Sequence, residues 1–402
     1  MFYGYIIVIA GFIITLAVYA VQYAFGVFFK PMINEFGWTR ALTSGAFSLS
    51  WIVQGVVAII MGKVCDTLGP RIVITICGFL IGISYMLMSQ INNAWQFYLL
   101  YGVLGGAGIS GIVIPLGSTI ARWFVKRRNL MTAFTFLGVS VAVLIGAPIS
   151  EMLITKYDWR FSYLLMGSIV FVVVILAAQL LRRDPSQKNQ IAYNDINTKL
   201  TKESEEKGIT IKAVMRDKQF WIAFIAFFCL GYMNFAIFVH IVPHTTDLGI
   251  DPATAAGIMA IMGGSSAVGG FLFSILADKI GNKKVFVIAF SILFLSLIFL
   301  LLATDVTKLR IFAVAFSFSL GGCCMTQSPM VASIFGLRSH GLVFGALNFG
   351  FAVGSTLGSL LTGFIYDTSG NYQMAFIITI MLGLIGTLFT FGLKSNKELI
   401  KG

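Results

Sequence analysis

GKVCDTLGPR, at Gly62–Arg71, returns 212 residues later as SILADKIGNK, at Ser274–Lys283. Each stretch carries an aspartate, then a glycine three residues on, then a cation two residues after that. The same step of 212 residues aligns further pairs: Pro31 with Pro243, Glu35 with Asp247, Gly37 with Gly249, Gly45 with Gly257, and Gly138 with Gly350. Self-similarity at a fixed step indicates an internal repeat. We therefore predict that the chain is a duplication that folds as two related halves.

The composition is typical of a protein that lies in a membrane. Of 402 residues, 58% are hydrophobic and 11% are charged, and the mean hydropathy is +0.91. A soluble core of this size could not bury so much apolar material. A membrane-spanning helix needs about 20 mainly apolar residues, and we count about 12 such runs, six in each half. They start near Tyr5, Thr43, Ile72, Trp95, Leu130, Phe161, Gln219, Pro252, Val285, Leu309, Gly341 and Tyr372.

The apolar runs predict helices rather than barrel strands, because they are continuously apolar and do not alternate. We predict an all-α integral membrane protein with 12 transmembrane helices in two pseudo-symmetric six-helix bundles. Polar and charged residues replace apolar ones between the two sets of runs. We therefore assign residues 1–181 to the N-terminal half, 182–217 to a cytoplasmic linker and 218–402 to the C-terminal half. The mixed charges of the linker indicate a solvated tether.

Lys and Arg are unevenly distributed among the connections between runs. The even-numbered connections and the C-terminal tail are rich in them, whereas the odd-numbered connections hold few. Because cations accumulate in cytoplasmic loops, we expect a multi-pass protein of the cytoplasmic (inner) membrane with both termini in the cytoplasm. The net charge of +12 fits this topology and an anionic lipid leaflet, and does not favour a nucleic-acid partner. We expect no cleavable signal peptide, because the first apolar run follows Met1 without a basic segment.

Few residues suggest metal, proton or enzyme chemistry. His240 and His244 are four residues apart, but Pro243 interrupts the helix that a metal pair would need, so we expect no metal and no cofactor. No nucleophile with a base, cysteine motif or phosphate-binding loop suggests an enzyme. His240 and Glu151 are candidates for proton coupling. We expect three charges near the ends of the runs to be solvated: Lys30, Asp158 and Arg160.

The duplicated loop resembles the signature loop of the major facilitator superfamily. The match is Gly62-x-x-x-Asp66-x-x-Gly69-Pro70-Arg71, and the second copy departs from it only at Ser274 and Lys283. Other motifs look like the monocarboxylate-porter and oxalate/formate-antiporter branch: Tyr3–Tyr5, Val27–Lys30, Glu35–Arg40, Phe335-Gly336, Gly341-x-x-x-Gly345 and Gly363-x-x-Tyr366-Asp367. The resemblance spans nearly the whole chain. It implies the major facilitator fold and transport of a small organic acid by alternating access.

The resemblance also implies a role for the duplicated loop, which in this superfamily latches the cytoplasmic side when the cavity faces outward. A carboxylate at this turn can pair with cytoplasmic arginines near a helix N-terminus. The gating residues we predict are Gly62, Asp66, Gly69, Arg71, Arg128, Asp278, Gly281 and Lys283. The partner of Asp66 could be Arg122, Arg127 or Arg128, and the sequence leaves this choice open.

Two positions depart from the branch. Its carboxylate carriers place an arginine eight residues before the loop acid of the second half, where this chain has Gly270. Many members also carry a lysine seven residues before the end of the first span, where this chain has Tyr23. No Lys, Arg, Asp or Glu falls clearly inside a run, although such residues usually mark ion paths. Either the solute is neutral or weakly charged, or neutral donors hold its carboxylate.

Neutral donors can be proposed from helical spacing. In the first run, Tyr19, Gln22 and Tyr23 share one face. The repeat step maps Gln22 onto Asn234, and an amide offers two donors and one acceptor. The other candidate substrate contacts are Gln327 in the tenth run and Asn348 and Ser355 in the eleventh. Each of these polar residues could instead join helices to one another.

We therefore predict a monomeric secondary transporter whose partners are a small organic solute, possibly an ion carried with or against it, and the lipid bilayer. The solute we favour is a monocarboxylate or a related organic acid. The alternative is a neutral or amphipathic solute, as in drug-like efflux, because Gly270 stands where the branch has arginine. A polytopic membrane enzyme and a transporter-like sensor are the rival classes. Symport, antiport and direction stay open.

Overall fold

The computed structural model describes residues 2–124, 128–188, 190, 217–335 and 340–393. Within these ranges the chain is helical and forms no β-strand. Twelve helical stretches of the described chain are long and apolar enough to cross a membrane. The predicted all-α membrane fold is therefore confirmed. The chain divides into two compact units, one on each side of segment 191–216, and six of the twelve stretches lie in each unit. Most of the predicted linker lies outside the described residues.

Unit 1 has eight α-helices that make six spans. They are α1 (Tyr3–Tyr23), α2 (Phe25–Phe36), α3 (Arg40–Leu68), α4 (Pro70–Met88), α5 (Ala94–Phe97), α6 (Gly106–Trp123), α7 (Arg128–Lys156) and α8 (Trp159–Ala178). The first span consists of α1 and α2. The fourth consists of α5, a π-helical segment at Tyr98–Gly105, and α6. A 3₁₀ turn at Pro185–Lys188 follows α8.

Unit 2 builds each of its six spans from one helix. They are α9 (Lys218–Asp247), α10 (Pro252–Ile280), α11 (Asn282–Leu300), α12 (Val306–Phe335), α13 (His340–Ser369) and α14 (Gln373–Phe391). The bounds of α3 and α4 recur 212 residues later in α10 and α11 at both ends. The structure therefore repeats at the step found in the sequence.

The repeat extends to the caps that begin α3 and α10. The side chain of Thr39 accepts a hydrogen bond from the backbone N–H of Leu42 at 3.2 Å. In unit 2, Asp251 accepts one from the N–H of Thr254 at 2.8 Å. These bonds satisfy backbone donors that the first turn of a helix leaves free. The hydrogen bonds from Thr254 also lower the pKa of the exposed Asp251 carboxyl.

Close contacts between helix backbones are repeated as well. In unit 1, a Cβ added at Gly146 of α7 would lie 2.6 Å from the carbonyl oxygen of Ala20 on α1. In unit 2, a Cβ at Gly358 of α13 would meet the backbone of Tyr232 on α9. Both partners of the first contact map onto the second at the repeat step. Small residues at these points let helices approach closely in lipid, where close packing drives helix association.

Glycines also form the repeated turns. Gly37 and Gly249 have φ of 66° and 82°, and Gly69 and Gly281 have φ of 81° and 94°. At Gly69 and Gly281 ψ is 166° and 145°, a region that only glycine enters readily. Each of these two turns ends one helix and begins the next, with its N–H bonded to the last turn at 2.9 Å. The duplicated loop therefore needs glycine at this position for geometric reasons.

Replacing Gly69 or Gly281 with alanine should destabilise the protein by about 1–3 kcal/mol, because alanine must adopt a glycine-only backbone conformation. Thermal unfolding in detergent micelles measures the loss. Gly55→Ala and Gly257→Ala are matched controls, since each lies inside a helix with nothing within 4 Å of an added Cβ. Those changes should leave stability equal or raise it by up to about 1 kcal/mol. Equal effects at the turn and control positions would contradict this account.

Candidate functional site

The first candidate contact, Gln22, lies beside a break in the first span of unit 1. Helix α1 ends at Tyr23 and α2 begins at Phe25, with Ala24 between them at φ −74° and ψ −3°. The Gln22 side chain is fully buried. Neither its Nε2 nor its Oε1 has a hydrogen-bond partner among the described residues. A buried polar atom without a partner costs about 1–3 kcal/mol, so a ligand that bonds to this amide would recover that energy.

Two tyrosines accompany Gln22 on α1. The rings of Tyr19 and Tyr23 stack with centroids 5.7 Å apart and an interplanar angle of 25°. Tyr19 is buried, whereas Tyr23 is half-buried. The structure therefore brings Tyr19 and Tyr23 together as an aromatic surface on the helix that carries the unpartnered amide. Such a surface could contact the apolar part of a solute.

In unit 2, the candidate contacts fall on three helices. Asn234 on α9 is 6% exposed, and its Oδ1 has no hydrogen-bond partner in the described part of the chain. Gln327 on α12 is also buried, and the same holds for its Nε2. Both residues therefore keep hydrogen-bonding capacity for a ligand, as Gln22 does in unit 1.

The two candidates on α13 are engaged by their own helix. Asn348 Nδ2 donates to the carbonyl of Phe344 at 2.9 Å, and Ser355 Oγ donates to that of Phe351 at 2.7 Å. Bonds to the carbonyl four residues earlier are a common way for polar side chains to be satisfied inside a helix. Ser355 also lies next to Gly231 of α9. These two residues therefore have less free hydrogen-bonding capacity than Asn234 and Gln327.

The gating residues are described only in part. Gly69 and Gly281 form the turns given above. Arg71 Nε donates to Gln179 Oε1 at 2.8 Å, and Gln179 Nε2 donates to Thr75 Oγ1 at 3.2 Å. Lys283 lies in the first turn of α11. The side chains of Gly62, Asp66, Arg128 and Asp278 lie outside what the structure describes. The latch therefore stays a prediction.

The possible partners of Asp66 are likewise described only in part. Arg122 Nη1 lies 3.2 Å from Asp184 Oδ1, so this cation pairs with the segment that follows α8. Nearby, Trp123 Nε1 donates to the carbonyl of Arg182 at 2.8 Å. Arg127 lies outside the described residues. Arg122 is therefore tied to another carboxylate in this structure.

His240, a proton-coupling candidate, is completely buried in unit 2. Its Nε2 lies 2.8 Å from the carbonyl oxygen of Ser359, and its Nδ1 lies 3.2 Å from the hydroxyl of Tyr372. A carbonyl only accepts, so Nε2 carries the hydrogen, and a neutral ring accepts at Nδ1 from Tyr372. A second proton on the ring would require the Tyr372 hydroxyl to turn. The imidazole therefore links α9, α13 and the start of α14 in one polar contact.

Glu151, the other proton-coupling candidate, lies on α7 and is half-buried. Its Oε1 accepts a hydrogen bond from Thr155 Oγ1 at 2.9 Å, one turn along the same helix. Both His240 and Glu151 remain candidates, in very different surroundings. His240 is held by three helices, whereas the bond given for Glu151 comes from its own helix.

The expectation that Arg160 is a solvated loop charge is wrong. Arg160 Nη2 lies 2.6 Å from Glu35 Oε1, and Trp159 Nε1 donates to Glu35 Oε2 at 2.6 Å. Arg160 Nη1 donates to the carbonyls of Ser89 and Ile91, each at 2.9 Å. The guanidinium therefore joins the end of the first span, the end of α4 and the start of α8. Asp158 is not simply solvated either, since it caps α8 by accepting from the N–H of Phe161 at 2.5 Å.

Several buried polar atoms without partners in the described chain were not predicted. They are Gln54 Nε2, Tyr85 OH, Tyr163 OH, Tyr232 OH, Ser317 Oγ and Thr362 Oγ1. Tyr85 and Tyr163 belong to one aromatic group in unit 1, with ring centroids 6.2 Å apart. Tyrosine within an apolar run is a weak sequence signal, because its ring packs like any apolar side chain. No group of three or more His, Cys, Asp or Glu that could hold a metal occurs in the described residues.

Comparison with known proteins places the chain in a family. It matches the Major Facilitator Superfamily over residues 11–333 and 241–399, which together cover most of the sequence. The chain belongs to the Major Facilitator Superfamily. It is 26% identical over 394 residues to monocarboxylate transporter 13 of Rattus norvegicus, covering 96% of this chain and 89% of the relative. It is 27% identical over 390 residues to the oxalate:formate antiporter of Oxalobacter formigenes, covering 92% and 87%.

A solved structure of this superfamily member's fold agrees with that assignment. A bacterial homologue of the human lysosomal transporter Spinster, in an inward-facing and unoccupied conformation, superposes with a TM-score of 0.77. The match covers 97% of each chain at 15% sequence identity, so it shows the shared fold alone. The sequence relatives are transporters and not enzymes. The chain is therefore a multi-pass membrane transporter of the Major Facilitator Superfamily, and the predicted family and branch are confirmed.

Proposed function

We propose that this chain is a secondary active transporter that moves a small organic acid, most readily a monocarboxylate, by alternating access. The observation that carries the proposal is the pair of buried amides related by the repeat, Gln22 and Asn234. Each keeps a side-chain polar atom without a partner in the described chain. Relatives named for monocarboxylate, oxalate and formate transport support an organic acid as the solute.

Neutral donors can bind a carboxylate without a fixed cation. An ionised side chain buried in a membrane is expensive unless it is paired. An amide provides two N–H donors and, unlike arginine, needs no counter-ion when the solute leaves. A site of this kind would hold its solute less tightly than an arginine would, because hydrogen bonds between charged partners are roughly twice as strong as neutral ones. Weak binding is compatible with release on the far side of the membrane.

Gly270 has a packing reason in this structure. A Cβ at Gly270 would lie 3.0 Å from Met325 Cγ and 3.3 Å from the carbonyl oxygen of Gly321 on α12. The adjacent Gly269 meets the backbone of Phe318 on the same helix. Helices α10 and α12 therefore approach too closely for an arginine to be accommodated at this position without displacement. This contact favours the alternative proposal, a neutral or amphipathic solute, over a carboxylate held by a cation.

We also propose that the protein resides in the cytoplasmic (inner) membrane with both termini in the cytoplasm. The distribution of Lys and Arg among the connections supports this orientation. Residues 1–181, 182–217 and 218–402 are proposed as the two halves and the linker between them. On this arrangement the duplicated loops lie at the cytoplasmic ends of the spans, where a latch would act.

Uptake into proteoliposomes should separate the two proposals. We expect formate, acetate or oxalate to enter, while the neutral analogues formamide, acetamide and oxamide do not. Uptake accelerated by an inward proton gradient would identify symport, and exchange that ignores the gradient would identify antiport. Transport of the amides alone would replace the first proposal with the alternative. Empty liposomes are the control, and failure of every solute under every gradient would end the transporter proposal.

Replacing Gln22 or Asn234 with leucine should weaken apparent affinity about tenfold, equivalent to about 1.4 kcal/mol for the lost amide bonds. Leucine nearly preserves side-chain volume and removes an unpartnered buried polar group, so thermal stability should not fall. Thr379→Val is a matched control in unit 2, because its hydroxyl bonds to the carbonyl of Ala375 in its own helix at 2.8 Å. Wild-type affinity in both leucine variants would discard these contacts.

Asp66→Asn should slow turnover about fivefold while substrate affinity changes little, since a partly exposed ion pair contributes about 1 kcal/mol at most. Such a change biases the exchange between states without removing a solute contact. Single-turnover and steady-state uptake in proteoliposomes distinguish these quantities. Asp251→Asn is the control, because asparagine caps a helix about as well as aspartate. Lost binding with unchanged turnover would contradict the latch.

A further inference from the structure

Two irregular backbone segments of unit 1 meet at one side chain. The first is the break at Ala24 between α1 and α2, and the second is the π-helical segment Tyr98–Gly105. Tyr101, on the π-helical segment, is 2% exposed, and its hydroxyl donates to the carbonyl of Gln22 at 3.4 Å. Its ring centroid lies 5.0 Å from that of Phe25, the first residue after the break. Tyr101 therefore contacts the chain on both sides of the break.

Unit 2 provides an internal comparison, because it repeats the same fold without these features. The counterpart of the first span, α9, runs unbroken from Lys218 to Asp247. The counterpart of the fourth span, α12, is a single helix from Val306 to Phe335. The repeat step replaces Tyr101 with Ala313 and Phe25 with Ile237. The break, the π-helical segment and the tyrosine between them therefore occur together in one repeat and are missing together from these helices of the other.

Proline does not account for the break. Pro31 lies in α2, but Pro243 lies at the equivalent position of α9, which continues past it. Gly26 is a local difference, since Phe238 is its counterpart. A glycine weakens a helix by about 1 kcal/mol relative to alanine, which permits a break without fixing its geometry. Contact with another helix is the remaining feature that distinguishes the two repeats here.

We propose that Tyr101 is a positioning residue that holds the break in the first span and so orients the Gln22 amide. The proposal rests on the proposed function, because it treats Gln22 as a solute contact. The hydroxyl bond to Gln22 is long, so the ring contact with Phe25 shares in holding the break. Tyr85 supports the other side of Tyr101, with ring centroids 6.0 Å apart. A side chain fixed in advance loses less conformational freedom when it binds, which raises affinity without a new contact.

The brace can be tested without any transported solute. Hydrogen–deuterium exchange of the full-length protein in lipid nanodiscs should show faster exchange at Tyr23–Phe29 in Tyr101→Phe and Tyr101→Ala, by about threefold and tenfold. Tyr98→Phe is the matched control, because the Tyr98 hydroxyl lies on the same π-helical segment and donates to the carbonyl of Leu42 on α3 at 2.9 Å. It should leave Tyr23–Phe29 unchanged. Unchanged or slower exchange in both Tyr101 variants overturns the proposal.

The positioning role is tested by combining variants. For the panel acid that enters proteoliposomes fastest, Tyr101→Phe should raise KM about fivefold with kcat retained, the pattern of lost uniform binding. The same change should have no further effect on KM in the Gln22→Leu background. Equal effects in both backgrounds overturn the proposal, as does faster exchange with unchanged KM. If no acid enters with the wild-type protein, the proposed function fails, and the exchange experiment alone decides the brace.

Discussion

The whole structure depends on the requirement that lipid imposes on the backbone. A peptide group in the hydrocarbon region has no water to bond with, so each span must satisfy its N–H and C=O groups internally. Continuous helices meet this requirement at every span of unit 2. Where unit 1 departs from it, at Ala24 and in Tyr98–Gly105, a side chain from another helix lies at the irregular backbone. Irregularity in this setting has to be supported by tertiary contacts.

The duplication separates what the fold needs from what only one half contains. Features kept in both repeats concern backbone geometry: the positive-φ glycines at the turns and the contacts of Gly146 and Gly358 with the facing helix. Features present in one repeat concern side-chain chemistry, such as Tyr101 against Ala313, or Arg160 against Tyr372. Because the second unit reaches the same helix bounds without Tyr101, that residue is not required to build the six-helix fold.

Sequence reasoning succeeded where a local pattern carries the information. Apolar runs gave the spans, and the repeat step gave the matching bounds of α3 and α10. It failed where distant residues decide the outcome. Arg160 looked solvated because its partner, Glu35, lies 125 positions away. Likewise, Asn348 and Ser355 looked equivalent to Asn234, yet each bonds to its own helix and Asn234 Oδ1 does not in the described chain. Spacing places a polar residue on a face but does not show which partner satisfies it.

The two related amides are therefore held differently. Gln22 lies beside a break that an aromatic contact supports, whereas Asn234 lies within an unbroken helix. A helix that is continuous keeps its carbonyls bonded, so Asn234 can adjust only through its own side-chain torsions. The backbone at Gln22 can also change, because the break removes part of the helical constraint. If solute binding and release require one contact to reorganise, the physical asymmetry assigns that change to the first span, with Asn234 as the fixed partner.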